Sequence, residues 1–598
     1  MMNFQKNSNY NVDLLKKAGK YFLHVMIGVA NLEVARERLY RRINTNQFDT
    51  YGEQINLYEG RIVRIRDCSH ALNSVIKRRS DKLANFSVVQ ALYDIANNVN
   101  RPDLQPGFYA ELYHLFMAIQ GKGPGVAPGD YFISKDLSGK EAAIARSKEL
   151  DLLWGNVSKR MSRFIHGFNE DIIEYRKERR KKVLSQLRGT NTDWRDWRWH
   201  LRNVIKRPTQ LYDLIPLSDS EVEALEIAER AGLPFGITPY YLSLIDDDLR
   251  RQDRALRAQV IPPLSYVEYM AANRHNPKCA FDFMMERDTS PIDLITRRYP
   301  SIVILKPYNS CPQICVYCQR NWEIEGVLSK GAMASKGKIE KAIAWIKDHP
   351  SIQEVLVTGG DPLSMSDTKL FWILEELAKN PNIEMIRVGT RTPVTIPMRI
   401  TNAFARALGK LRRPMRLDVS VVTHVEHPYE ITPDVFRAAE RLRRNKINVY
   451  NQSVFTFFNS RRFESAFLRR ILKRVGIEPY YTFNTKGKNE TIEYRVPIAR
   501  LLQEQKEEAR LLPGLSRTDE AVYNLPALGK QYLRASQHRD VISVLPDGSR
   551  VYEFHPWEKN IRMQDSYIGI DIPILDYLKR LENIGEDISE YQTIWYYF

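Results

Sequence analysis

Two hydrophobic periods run along this chain, and one gives way to the other near its middle. In the N-terminal third, apolar residues recur three and four positions apart with charges between them. Residues 31–42, 62–79 and 87–98 carry that spacing, which predicts amphipathic helices. Residues 121–129, GKGPGVAPG, break the pattern; their Gly and Pro density predicts a loop. It is not a phosphate loop, because the Gly-Lys-Ser/Thr ending is missing. Helix resumes near Lys140 and is predicted to run on to the basic stretch 175–182. Residues 193–203 alternate tryptophan with arginine, a pattern for a packing surface with guanidiniums stacked on indoles. Ser218 and Glu221 form a capping box at the head of a helix predicted over 218–231.

From Arg298 strands and helices alternate. Strands are predicted at 302–305, 354–358, 385–388, 416–422, 448–454 and 478–483. Helices are predicted at 339–349, 368–379, 433–445 and 463–475. Repeated β–α pairs predict parallel strands, in a barrel or in a doubly wound sheet. Chemically distinctive residues follow the strand ends, as at the C-terminal mouth of a β/α barrel.

Composition changes this picture little. The 598 residues allow two to four domains. A net charge of +17 suits nucleic acid, a membrane surface, acidic small molecules or a solvated basic surface. The run 175–182 lacks interleaved aromatics, so a solvated helix face is the reading preferred over nucleic-acid binding. No apolar run reaches the length of a spanning helix.

The cysteines change the picture most. Three of five lie within eight positions, Cys311-Pro-Gln-Ile-Cys315-Val-Tyr-Cys318, while Cys68 and Cys279 stand alone. A disulfide framework scatters and pairs its cysteines. Structural zinc takes four protein ligands, commonly from paired knuckles, and no second knuckle exists here. Three thiolates suit an iron–sulfur cluster with one iron left open; a partial zinc site and coincidental buried thiols are the other readings of the spacing. CxxxCxxC with an aromatic, Tyr317, before the last cysteine resembles the signature of radical S-adenosylmethionine enzymes. Few cysteines and an oxygen-sensitive cluster together predict the reducing cytoplasm.

From about Trp194 to Trp557 the stretches DWRWHLRN, ITPYYLSLID, RRYP, the cysteine loop, LVTGGDPL, RVGTRTPV, VVTHVEHP, NQSV and EPYY occur in an order that resembles the lysine 2,3-aminomutase family. The resemblance implies a partial, open parallel β/α barrel of the radical SAM type, here with an added, mostly helical N-terminal domain. It divides the chain into a helical extension (1–185), a helical lead-in (186–295), the barrel (296–510) and a C-terminal segment (511–598). It implies that Cys311, Cys315 and Cys318 hold a 4Fe-4S cluster and that Gly359, Gly360 and Asp361 support the methionine amine of S-adenosylmethionine. Tyr299 would lie beside pyridoxal 5′-phosphate, Lys530 would be its Schiff-base lysine, and Arg320 would grip the substrate α-carboxylate through its planar fork.

The sequence departs from that family in five respects. Two aspartates that hold the distal ammonium of lysine fall on Lys486 and Asn524. A lysine substrate would set two like charges together, at a cost of about 4 kcal/mol for a separation of about 4 Å. These two residues resemble those of glutamate 2,3-aminomutases, which implies conversion of L-glutamate to β-glutamate: a 5′-deoxyadenosyl radical takes the C3 hydrogen and the amino group migrates. The alternative has Lys486 pointing to solvent. An arginine near the phosphate is Ile302, and a glycine run before the lysine is thinned to Ala527-Leu-Gly529; both weaken the phosphate cup. No cysteine follows Cys318. The rival readings are an aminomutase of lysine or aspartate, a radical enzyme without pyridoxal phosphate, and a non-catalytic nucleic-acid-binding protein. The implied partners are a small amino acid, an electron donor for the cluster and further copies of the chain, with no membrane.

Overall fold

The computed structural model describes residues 10–53, 59–124, 137–248, 252–273, 275–276, 281–485, 487–561 and 563–598. Lys486, Cys279 and residues 125–129 of the predicted loop lie outside the described residues. Nine strands form one sheet in chain order: β1 (Ile295–Thr296), β2 (Ile302–Tyr308), β3 (Glu354–Gly359), β4 (Met385–Gly389), β5 (Asp418–Thr423), β6 (Asn448–Phe455), β7 (Glu478–Asn484), β8 (Glu520–Leu525) and β9 (Gly529–Tyr532). β2 to β8 are parallel, while β1 and β9 run antiparallel on the two edges and do not pair with each other. The result is a curled, open half-barrel, the architecture that the family resemblance implies.

Alternation along each strand separates a helix-covered face from the hollow. β2 buries Val303 and Leu305 and turns Ile302, Ile304, Lys306 and Tyr308 the other way. Val355 and Val357 of β3 and Ile386 and Val388 of β4 continue the covered face. They pack with Ile339 and Ile346 of helix Lys336–Lys347 and with Leu370, Ile373 and Leu374 of helix Asp367–Lys379. The open seam is crossed by residues 284–299. The Met284 carbonyl accepts from Ala527 N–H at 3.1 Å, and the Tyr299 hydroxyl accepts from Lys530 N–H at 2.6 Å.

The helix predicted from Lys140 to 182 is two, Gly139–Met161 and Glu170–Gln186. Between them Gly167 N–H donates to the Pro428 carbonyl at 3.3 Å, so a tertiary backbone contact breaks the run. The basic stretch 175–182 is only partly a solvated face. Arg176 and Arg179 are buried and donate to the Tyr429 and Ile245 carbonyls at 2.8 and 2.9 Å, whereas Lys177 and Lys181 pair with Glu174 and Glu178 at the surface. Both helices of this pair pack on the barrel core. The tryptophan–arginine stretch stacks as its pattern predicts: Arg198 and Arg399 lie over Trp197, and Arg180 over Trp194. The Ser218–Glu221 capping box is formed.

A second core joins the two ends of the chain. Helices from Val12 to Ile119 pack on strands β10 (Arg539–Val544), β11 (Arg550–Phe554) and β12 (Tyr567–Ile570) and on helix Ile574–Asn583. Buried within it, Arg550 donates to Glu111 at 2.9 Å and to the Trp595 carbonyl at 2.7 Å. The His114 ring stacks on Trp595, and its burial holds the imidazole down at about 3, hence neutral. Removing one partner of a buried pair strands the other charge, at a cost of about 3–5 kcal/mol. Glu111→Ala is therefore expected to lower the denaturation midpoint of the whole chain; urea unfolding followed by circular dichroism checks this, and a midpoint equal to wild type refutes it.

Candidate active site

At the mouth of the half-barrel β2 runs straight into the cysteine loop, and β3 ends at Gly359-Gly360-Asp361. Gly360 N–H donates to the Tyr308 carbonyl at 2.7 Å and Asp361 N–H to the Ser310 carbonyl at 2.9 Å. A side chain at Gly360 would collide with the Ser310 backbone, so the glycine is what lets this turn press on the cysteine loop. The Asp361 carboxylate does not face open space. It accepts from the Thr390 and Thr392 hydroxyls at 2.6 and 2.9 Å and from the Arg391 and Leu363 amides at 3.0 Å, binding the β3 end to the β4 end.

The three cysteines are free thiols and lie near enough to act on one another electrostatically. Burial pushes the Cys311 and Cys315 thiols up, and the charges of the neighbouring cysteines push further. Among the described residues no three His, Cys, Asp or Glu side chains converge tightly enough for one metal ion. The donor set is all sulfur, as iron–sulfur clusters take.

Arg391, at the end of β4, went unread in the sequence although it lies inside RVGTRTPV. It is largely buried, with 11% of its side chain exposed, and donates to Cys315 Sγ at 2.9 Å. Its other N–H groups reach Glu430 at 2.7 Å, the Tyr241 hydroxyl and the His424 carbonyl at 3.3 Å, and Gln259. Glu426 is also buried nearby, and burial raises its carboxyl to about 8.

Lys530 lies on β9 directly across from Asn524 of β8, so both side chains share one face. The Lys530 ammonium sits 5.1 Å from the Tyr299 ring centroid and 5.2 Å from that of Tyr481. Burial, with the positive charges of Arg387 and Arg298, lowers it to about 8. Gly529 takes φ +85°, and a side chain there would collide with the Tyr299 hydroxyl. Arg320 is not free at its site: it pairs with Glu323 and lies 3.6 Å from Glu286, which also holds Lys306 at 3.2 Å and Arg298 at 3.6 Å. No spacing rule could find this cluster, because Arg298, Lys306 and Arg320 lie 12 to 34 positions beyond Glu286.

Residues 305–502 match the radical SAM superfamily. The chain is 45% identical over 547 residues to an uncharacterized KamA family protein of Methanocaldococcus jannaschii, covering 88% of this chain and 87% of that one. The chain belongs to the KamA family. This KamA chain is also 35% identical over 312 residues to the glutamate 2,3-aminomutase of Clostridioides difficile, covering 52% of this chain and 69% of that one. To the L-lysine 2,3-aminomutase of Clostridium subterminale it is 33% identical over 312 residues, covering 52% and 71%. The longer alignment must include much of the helical N-terminal region; the two shorter ones leave nearly half of the KamA chain outside. No helix among the described residues is long and apolar enough to cross a membrane.

Two expectations follow for this KamA family chain. A guanidinium bonded to a cluster thiolate favours the more negative, reduced state. Arg391→Gln should therefore shift the cluster potential to more negative values in a redox titration followed by electron paramagnetic resonance; an unchanged potential counts against the contact. A lysine at about 8 is half neutral near pH 8. Borohydride-stable labelling of Lys530 by pyridoxal phosphate should rise through that pH, and a midpoint near the ordinary lysine value would show that the amine is not desolvated.

Proposed function

We propose that this chain is a radical SAM, pyridoxal-phosphate-dependent amino acid 2,3-aminomutase, and that it converts L-glutamate to β-glutamate. The observation that carries the reading is the Lys530 amine. It lies between two tyrosine rings on the inner edge strand of the half-barrel, and desolvation lowers it to about 8. An amine whose neutral form is within reach near physiological pH is what covalent attachment of a carbonyl cofactor requires.

In this reading Cys311, Cys315 and Cys318 hold the four-iron cluster, and Gly359 and Gly360 offer the S-adenosylmethionine methionine group a close backbone. Asp361 acts through the turn that it fixes. Tyr299 and Lys530 hold pyridoxal phosphate. When bound, these groups supply the radical and the electron sink that the rearrangement needs. The chain contributes placement and the exclusion of water. Arg320 orients one substrate carboxylate, and Lys486 and Asn524 receive the other. Asn524 is favoured by its position beside Lys530. The reaction is an isomerisation; an external protein supplies the electron.

The test is one anaerobic incubation of the reconstituted chain with S-adenosylmethionine, reductant and a mixture of amino acids, read by mass spectrometry. L-Glutamate should be consumed with the appearance of an isobaric product, L-lysine should not, and Lys530→Ala should abolish turnover. Consumption of lysine in place of glutamate would overturn the substrate assignment, and full turnover by Lys530→Ala would overturn the cofactor assignment.

A further inference from the structure

Helix Arg254–Val260 has one end on the cysteine loop and the other in solvent. Near its C-terminal end the Gln259 carbonyl accepts from Val316 N–H at 2.9 Å, and the Gln259 side-chain oxygen accepts from the Tyr317 hydroxyl at 3.1 Å. At its start Arg254 is exposed. The Arg254 guanidinium lies 5.4 and 5.6 Å from the ring centroids of Phe457 and Phe458, and Arg580, from helix Ile574–Asn583, covers Phe457 at 3.9 Å. Desolvation over these rings, with the like charges of Arg461 and Arg580, lowers the Arg254 guanidinium to about 10, so it stays charged at neutral pH.

The carboxylates near these arginines are already engaged. Glu464 is buried and holds Arg461 at 3.0 Å and His427 at 2.9 Å. Glu586 lies 3.3 Å from Arg163 and accepts from the Tyr591 hydroxyl at 2.9 Å. Glu493 takes the Ser265 hydroxyl, and Arg580 donates to the neutral carbonyl of that residue at 2.6 Å. The patch therefore keeps a cationic surplus over an aromatic floor. Arginine and aromatic side chains are the ones enriched in protein interfaces, and the sign of such a patch selects a partner of opposite charge and speeds its encounter.

The rings of the floor lead inward. Phe458 lies 5.1 Å from Tyr494 and Tyr494 lies 5.7 Å from Tyr317, centroid to centroid. Tyr317 stands between Cys315 and Cys318 in the chain. Electron transfer between proteins falls steeply with distance, so a donor is effective where the redox centre lies close behind the docking surface. We propose that the face formed by Arg254, Arg461 and Arg580 over Phe458 docks the protein that reduces the cluster, and that this partner is a small acidic one-electron carrier with a flavin or an iron–sulfur centre. In the transfer the carrier loses one electron, the oxidised cluster gains it, and no bond is made or broken. The inference rests on the reading that Cys311, Cys315 and Cys318 hold a redox-active cluster.

Arg254→Glu reverses the exposed charge of the patch without touching the cysteine loop, and glutamate suits the first turn of a helix. The experiment measures binding of the full, cluster-reconstituted chain to two probes, an acidic flavodoxin and an acidic ferredoxin, at low salt and at about 0.5 M salt, where exposed charges are screened. Stopped-flow reduction of the cluster by each reduced probe is followed beside reduction by dithionite. Wild type should bind at least one probe and release it in high salt. Arg254→Glu should weaken that binding and slow that reduction tenfold or more, with dithionite reduction and the electron paramagnetic resonance spectrum unchanged; Arg254→Lys should behave as wild type. Equal binding and equal rates in wild type and Arg254→Glu overturn the proposal, as do binding that ignores salt and a wild type that binds neither probe. Slower dithionite reduction or an altered spectrum in Arg254→Glu also overturns it, because the substitution would then act on the cluster itself. A chain that takes electrons through this face yet isomerises no amino acid leaves the docking site standing and removes the aminomutase reading; a chain that assembles no cluster overturns both.

Discussion

The mouth of this barrel is held together by the inward-facing carboxylate of Asp361. Asp361 ends β3, accepts four hydrogen bonds, and takes three of them from the residues that follow β4. One of those donors is the backbone of Arg391, whose side chain then crosses to the cysteine loop, to Glu430 after β5 and to Gln259. Two adjacent residues of opposite charge, one acting through its acceptors and one through its donors, thus tie the ends of four consecutive strands. A buried network of this kind is specific only when nearly every member is satisfied. Here that condition fixes where the three thiols stand.

This arrangement also explains which parts of the molecule were legible in its sequence. Strands such as β3 and β4 declare themselves because one face must be apolar at every second position, and helices such as Asp367–Lys379 because their buried stripe has its own period. The cysteine loop declares itself because its ligands are neighbours in the chain. Asp361 was legible only as part of a glycine-rich turn; that its carboxylate faces inward depends on Thr390 and Thr392, nearly thirty positions later. Arg391 lay in plain sight within a recognisable stretch, but nothing local distinguishes a guanidinium bonded to sulfur from one in water. The break at Gly167 was illegible for the same reason, since its partner carbonyl belongs to Pro428.

The electrostatics of the hollow follow from a second long-range fact. The barrel is open, and residues 284–299 cross its seam. That crossing carries Glu286 inward against Lys306 and Arg320, and carries Tyr299 against Gly529 and Lys530. A closed sheet would have filled the hollow with its own side chains. An open one admits a strap, and the strap brings charge. The desolvated amine and the charge cluster around Glu286 are thus both set by this strap without sharing any local motif.

The joint core at the two ends of the chain has a consequence for biosynthesis. Glu111 and Arg550 are separated by 439 positions. At ribosomal speeds of about 5–20 residues per second, the first helices wait roughly 20–90 s before their partner strands emerge. During that interval their apolar faces are uncovered, and the order of translation is opposed to the order of assembly. The barrel can form on its own core meanwhile, but Lys530 is held by the late-made C-terminal segment. The nascent chain thus passes through a stage with its cysteine loop built and its lysine still absent.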